Sequence, residues 1–333
     1  MRKFFAALVI LLALYLALSR FAELQTVWDT LRRGNWLWLL LGVGVQLTWL
    51  VSTTLTYRAT YRLLGLQRSL RQLLPLVATG NFVNVVAPSG GLSGIAIFIA
   101  DARRNSLSPA RVTLAGVLFV LFEYFAFLIV LALGLTVLIR RHNVTVADLT
   151  ASGILLVAAL TLAGLLILGA HSAEALERVL VRVARIVNAV LRPFLRRDYL
   201  SEARAHSFAA ESAEGLSALR AHWRDYLAPA ALALVGKALL ISIFFLTFLA
   251  FEQPFNPGTL IAGFSIGYLF LIVSPTPSGI GFVEGAMTLT LKSLGVPLEA
   301  ATVITLAYRG LTFWFPFAYG FIALRITERQ WGK

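Results

Sequence analysis

Cysteine is absent from the 333 residues, which excludes disulfide scaffolds, thiolate metal sites and cysteine nucleophiles. Charge is scarce: Asp, Glu, Lys and Arg make up 14% of the chain, against about 25% in soluble domains. The histidines His142, His171, His206 and His222 all lie outside the long apolar runs, so no membrane-embedded histidine metal site is expected. Enzymatic motifs are missing as well. No His-Glu-x-x-His stretch occurs, and Gly279-Ile280-Gly281 runs into Glu284 where a dinucleotide fingerprint needs its third glycine. Gly236-Lys237 lacks the rest of a phosphate loop. The chain therefore reads as a non-enzyme with no cofactor and no metal. Carboxylate chemistry at Glu123 and Glu284 is the one enzymatic alternative.

What is present is apolar: 59% of residues are hydrophobic and the mean hydropathy is +0.81. About twenty apolar residues span a bilayer as a helix, and only helices or closed barrels satisfy their backbone there. Eight long runs are expected to be helices, at 4–19, 35–56, 73–88, 112–139, 150–170, 226–251, 258–274 and 300–324. The first follows Arg2 and Lys3, and Ala17-Leu18-Ser19 loosely mimics a signal-peptide cleavage site. A retained helix fits better beside so many other membrane segments. Two shorter stretches, 89–100 and 276–294, are rich in Gly and Ser and follow prolines. They read as half-helices or re-entrant elements. The expected fold class is an all-α integral membrane protein.

The net charge of +13 would suggest nucleic acid in a soluble domain. Here the arginines cluster in loops beside apolar runs, as anionic headgroups and the positive-inside rule favour, so no nucleic-acid partner is expected. Residues 57–72 carry Arg58, Arg62, Arg68 and Arg71 without an acid, and the tail carries Arg325, Arg329 and Lys333 against Glu328. Both segments and the N-terminus are placed in the cytoplasm, with Arg32, Arg33, Arg140 and Arg141 outside as a mild conflict. Trp28, Trp36, Trp223 and Trp331 fall near span ends, where indole favours the interface. Over 176–197, apolar residues recur at three-four spacing among arginines, which predicts a basic amphipathic helix on anionic lipid. A plain connector and a regulatory or partner-binding helix are both compatible with it. Homo-oligomerisation is left open.

The two short stretches resemble each other. Val86-Ala87-Pro88 is echoed by Val273-Ser274-Pro275, and Ser93-Gly94-Ile95 by Ser278-Gly279-Ile280. Ser106-Leu107 and Pro109 are echoed by Ser293-Leu294 and Pro297. The chain thus reads as one membrane domain over residues 1–333. Repeat one covers about 35–139, a connector helix 150–170, a cytoplasmic amphipathic segment 171–225, and repeat two about 226–324. The single connector helix gives the second repeat opposite polarity, the inverted arrangement whose paired broken segments mark transporter binding sites. Two half-helix N-termini facing a common centre are expected to make an anion-friendly cavity.

Charges at membrane depth cost about 2.5–3.5 kcal/mol each on insertion scales, so they are candidate functional groups. These are Glu123, Glu284, Arg309 and Lys237. Glu123 and Arg309 occupy nearly matching repeat positions and are expected to approach each other, either as a tie between the halves or as a headgroup site. In the second case Arg309 holds a phosphate, and Glu123 or Glu284 orients it or binds a cationic group or proton. Lys237 is read as snorkelling or as a counter-charge for Glu252. Asn81, Asn84, Ser89, Ser93 and Ser278 are neutral donors beside the breaks, equally suited to helix packing.

The stretch Asn81 to Ser93 (NFVNVVAPSGGLS) with Ala110 to Glu123, and the stretch Ser274 to Glu284 (SPTPSGIGFVE), resemble the flippase-like membrane region of lysylphosphatidylglycerol synthase. Tyr308-Arg309 and Phe313-Trp314-Phe315-Pro316 with Gly320 resemble its last helix. The chain departs from many relatives in following Gly94 with Ile95 rather than an acid, so no carboxylate role transfers there. It stops at Lys333, without room for the soluble aminoacyl-transferase domain. The resemblance therefore implies the stand-alone branch. It also implies translocation of an anionic or aminoacylated phospholipid, or of a polyprenyl-phosphate-linked lipid, in the bacterial cytoplasmic membrane. With no ATP motif, such movement is expected to be facilitated or ion-coupled. A non-transporting scaffold for a lipid-modifying or glycosyltransferase enzyme, and an enzyme acting on lipid phosphates, are the alternatives.

Overall fold

The computed structural model describes residues 25–86, 93–172 and 223–331, with scattered helical positions between 174 and 188. Among the described residues all regular structure is helical. After a helical segment at 25–33, the chain forms α1 (Trp36–Leu63), α2 (Leu70–Val86), α3 (Ile95–Arg104), α4 (Pro109–Arg140) and α5 (Val146–His171). The second series is α6 (Leu227–Ala250), α7 (Pro257–Val273), α8 (Phe282–Ser293), α9 (Leu298–Arg309) and α10 (Phe315–Trp331). The fold class is all-α, as the composition required.

Local chemistry sets the helix starts. The side chains of Asn35, Ser108 and Asn256 accept from the N–H groups of Leu37, Arg111 and Thr259. Pro109 and Pro257 occupy the first position, where no N–H is missed. Thr145 and Asp148 form a reciprocal capping box before α5. By length and composition, Trp36–Leu63, Pro109–Arg140, Val146–His171 and Arg224–Ala250 are apolar enough to cross a membrane. On α5, Ile154, Val157, Leu160 and Ile167 are all more than half exposed, an apolar outer face that water would not tolerate and lipid would.

Several expectations change in detail. The runs 73–88 and 258–274 form the seventeen-residue helices α2 and α7, too short to meet the same crossing criterion. The run 300–324 is not one regular helix, because a π-helical turn at Gly310–Trp314 separates α9 from α10. Pro316 has no N–H to return to the Thr312 carbonyl, and a widened turn accommodates that loss. The run 4–19, the residues 89–92 and most of the 176–197 amphipathic segment lie outside the described residues.

The two series follow one order of long helix, seventeen-residue helix, break and short helix, then the long α4 in the first and α9, the π turn and α10 in the second. Their packing is reciprocal, with α2 lying on α10, α7 on α4, and α1 along α6. Glycines allow both crossings. A side chain at Gly320 would come within 2.8 Å of the Ala78 carbonyl oxygen on α2, and one at Gly134 within 2.6 Å of Ser265 Cβ on α7. Small residues at matching positions thus let backbones approach in the two halves alike.

Candidate functional site

The interior holds a cavity of about 240 Å³, walled by both series. Sites that enclose whole drug-sized ligands run to roughly 300–1,000 Å³, so this one has room only for a smaller group. Of the candidate residues, Asn81, Asn84, Glu123, Ser278 and Arg309 line it. Gln46, Tyr268 and Tyr308 add further polar groups to the wall.

Arg309 ends α9 immediately before the π turn and is 3% exposed. Its Nε donates to Glu284 Oε1 at 2.5 Å and its Nη2 to the Ser278 carbonyl at 3.0 Å. Its Nη1 makes no hydrogen bond to any described residue. The guanidinium also stacks 4.4 Å from the Phe313 ring centre, a contact that the planar fork suits. Glu284 stands behind the arginine rather than on the cavity wall, and its other oxygen accepts from the Gly281 N–H at 2.6 Å. One carboxylate therefore ties the start of α8 to the end of α9. Ser278 has a left-handed φ of 52°, which turns its carbonyl toward Arg309, while its Oγ donates to the Val85 carbonyl at 3.2 Å. The second break thus touches the last turn of α2, where the first break begins.

Around the first break, Asn84 Oδ1 accepts from the Gly94 N–H at 2.6 Å and from Ser93 Oγ at 2.8 Å. Ser93 serves this cap and does not line the cavity, and Ser89 lies outside the described residues. These bonds correct the expectation of two open helix N-termini. Asn84 accepts one of the helix-start N–H groups of α3 and Glu284 one of those of α8, so neither terminus is fully open. The positive group on the cavity wall is Arg309.

Glu123 and Arg309 do not pair with each other. Glu123 accepts from Lys237 Nζ at 2.5 Å. Lys237 neither snorkels nor meets Glu252: it is 1% exposed and also donates to the Tyr268 hydroxyl at 2.7 Å. Fifteen residues of helix span about 22 Å, beyond a lysine's reach, and that arithmetic already argued against Glu252. Lys237 and Tyr268 are the partners that sequence reasoning missed. The Gln46 amide, 1% exposed, makes no hydrogen bond of good geometry, with the Tyr319 hydroxyl near it. The cavity wall thus offers a carboxylate, a guanidinium and neutral amides. Each charge is held by a partner set back from the wall.

An all-helical membrane protein with a polar, ion-paired interior is the class these features define. A family model for the lysylphosphatidylglycerol synthase TM region matches residues 4–320, and the chain belongs to that family. A UPF0104 membrane protein of Methanothermobacter thermautotrophicus is 23% identical over 301 residues, covering 89% of this chain and 87% of its own. No solved structure matches the chain.

Proposed function

We propose that this protein moves a lipid between the leaflets of its membrane, with the headgroup in the central cavity and the acyl chains left in the bilayer. The observation that carries this reading is Arg309, a nearly inaccessible guanidinium braced on two sides, with Nη1 uncommitted to any described residue and a polar cavity before it. A charge is retained in an apolar bundle at a cost, and guanidinium matches phosphate bidentately. Glu123 supplies a negative wall for a cationic headgroup such as an aminoacyl ester. Family membership supports a lipid rather than a soluble solute. The two helix series, inserted with opposite polarity about α5, would rock around the headgroup and expose it to each leaflet in turn.

The test is a leaflet assay in proteoliposomes with fluorescent phosphatidylglycerol, with its aminoacylated form, and with a polyprenyl phosphate. At least one of these lipids is expected to cross faster with the protein than without it. Arg309→Ala should slow that lipid by about tenfold or more at equal reconstitution, the equivalent of one lost charge-assisted contact. No acceleration of any of the three would overturn the proposal. A chemically altered lipid would point to the enzymatic alternative.

A further inference from the structure

A second concave site lies away from the cavity, where α1 turns into α2. It is walled by Arg58, Arg62, Arg68, Gln67 and Ser69 around the Gly65–Leu66 turn, and encloses about 640 Å³. The turn is built rather than loose. Gly65 takes a φ of 71°, its N–H donates to the Arg62 carbonyl, and the Leu66 N–H reaches back to the Tyr61 carbonyl. Three guanidinium groups therefore share one pocket. Asp101 offsets one of them, through Arg68 Nη2 at 3.0 Å. The Nε atoms of Arg58 and Arg68 are buried and make no hydrogen bond to any described residue.

The position of the pocket on α1 says what kind of anion fits. Leu40, Leu47 and Val51 are 62%, 46% and 38% exposed and lie on one helical stripe. Arg58 falls seven residues beyond Val51 and Arg62 four further, so the apolar stripe runs directly into the two arginines. The cavity-lining Gln46 and Thr53 lie on another face, about 120° and about 140° away from Arg58. An apolar track ending in a cationic pocket matches a molecule with hydrocarbon chains and a phosphate head.

We infer that the Arg58–Arg62–Arg68 pocket binds the phosphate of an anionic lipid whose chains lie along the Leu40–Leu47–Val51 stripe, at a site separate from the central cavity. With Arg68 offset, Arg58 and Arg62 present two positive charges that no described carboxylate compensates, which favours a phosphomonoester headgroup over a zwitterionic one. The assignment does not depend on the transport reading.

Native mass spectrometry of the full chain in detergent tests it, with phosphatidic acid and phosphatidylcholine of identical chains as probes. Phosphatidic acid should be retained preferentially. Arg62→Gln, at an exposed position where folding is not at stake, should weaken that retention roughly five-fold, and Arg58→Gln/Arg62→Gln further. The same roughly five-fold loss should appear when Arg62→Gln is placed in an Arg309→Ala background, because the central cavity is a separate site. Millimolar inorganic phosphate should not displace the lipid, because it lacks the chains. Equal retention of the two lipids, or unaltered retention in Arg62→Gln, overturns the assignment. Ready displacement by inorganic phosphate also overturns it and makes the pocket a soluble-anion site.

Discussion

Lys237 Nζ on α6 sits 2.5 Å from a Glu123 carboxylate oxygen on α4, and the two are unequally buried, at 1% and 16% exposed. The lysine is the inner, structural partner and the glutamate faces the cavity. Tyr268 of α7 accepts from the same ammonium, and its ring lies 4.2 Å from it, so three helices meet on one charge. Removing either member strands the other in an apolar bundle. Lys237→Met is expected to lower stability by about 3–5 kcal/mol, and Lys237→Met with Glu123→Gln to recover part of the loss. Thermal unfolding of the purified variants in detergent measures this. Strictly additive losses would show that the two groups are not coupled.

Arg309 makes a demand of shape as well as charge. Its Nε and Nη2 bond in different directions, to Glu284 and to the Ser278 carbonyl, while its plane lies on Phe313. A lysine reproduces the charge and not the fork. Arg309→Lys should therefore remain nearly as slow as Arg309→Ala in the leaflet assay while folding normally. Full activity in the lysine variant would mean that only a point charge is needed.

The first break depends on one acceptor. Asn84 Oδ1 takes the N–H of Gly94 and the hydroxyl of Ser93, and its loss leaves a helix-start donor unpaired. Asn84→Ala should cost about 1–2 kcal/mol and speed amide exchange at residues 93–97, whereas Asn84→Asp keeps the acceptor and should exchange nearly as slowly as wild type. Hydrogen–deuterium exchange resolved to that peptide distinguishes the two.

The glycine crossings yield a symmetric expectation. Gly320→Ala presses on the Ala78 carbonyl and Phe82, and Gly134→Ala on Ser265 and the Ile261 carbonyl. Each should destabilise by about 1–3 kcal/mol, since backbone atoms cannot move aside as a flexible side-chain tip can. Melting curves in which both substitutions were silent would argue against reciprocal packing of α2 on α10 and α4 on α7.

Much of the architecture could be read from residue order. The apolar runs 35–56, 112–139, 150–170 and 226–251 fall on α1, α4, α5 and α6. The candidate site was legible in part. Asn81, Asn84, Glu123, Ser278 and Arg309 do share one cavity, because each sits on or beside a break or at a charged position within an apolar run. Pairing was not legible. Lys237 lies 114 positions from Glu123 and Arg309 lies 25 from Glu284, and no local periodicity states which ionic partners meet.

By itself the sequence determined the helical class, because an apolar chain with few charges and no cysteine can satisfy its backbone in lipid only within its own segments. It also marked the break after α7, at Pro275 and Pro277, where rings without an N–H interrupt the hydrogen-bond ladder, whereas the π turn before Pro316 lies inside a run read as one helix and belongs to the structure. The tertiary structure alone decided which charge neutralises which, and that Asn84 and Glu284 occupy the helix-start donors. Those outcomes depend on contacts of a few ångströms between segments far apart in the chain, where desolvation penalises every arrangement that leaves a partner unmatched.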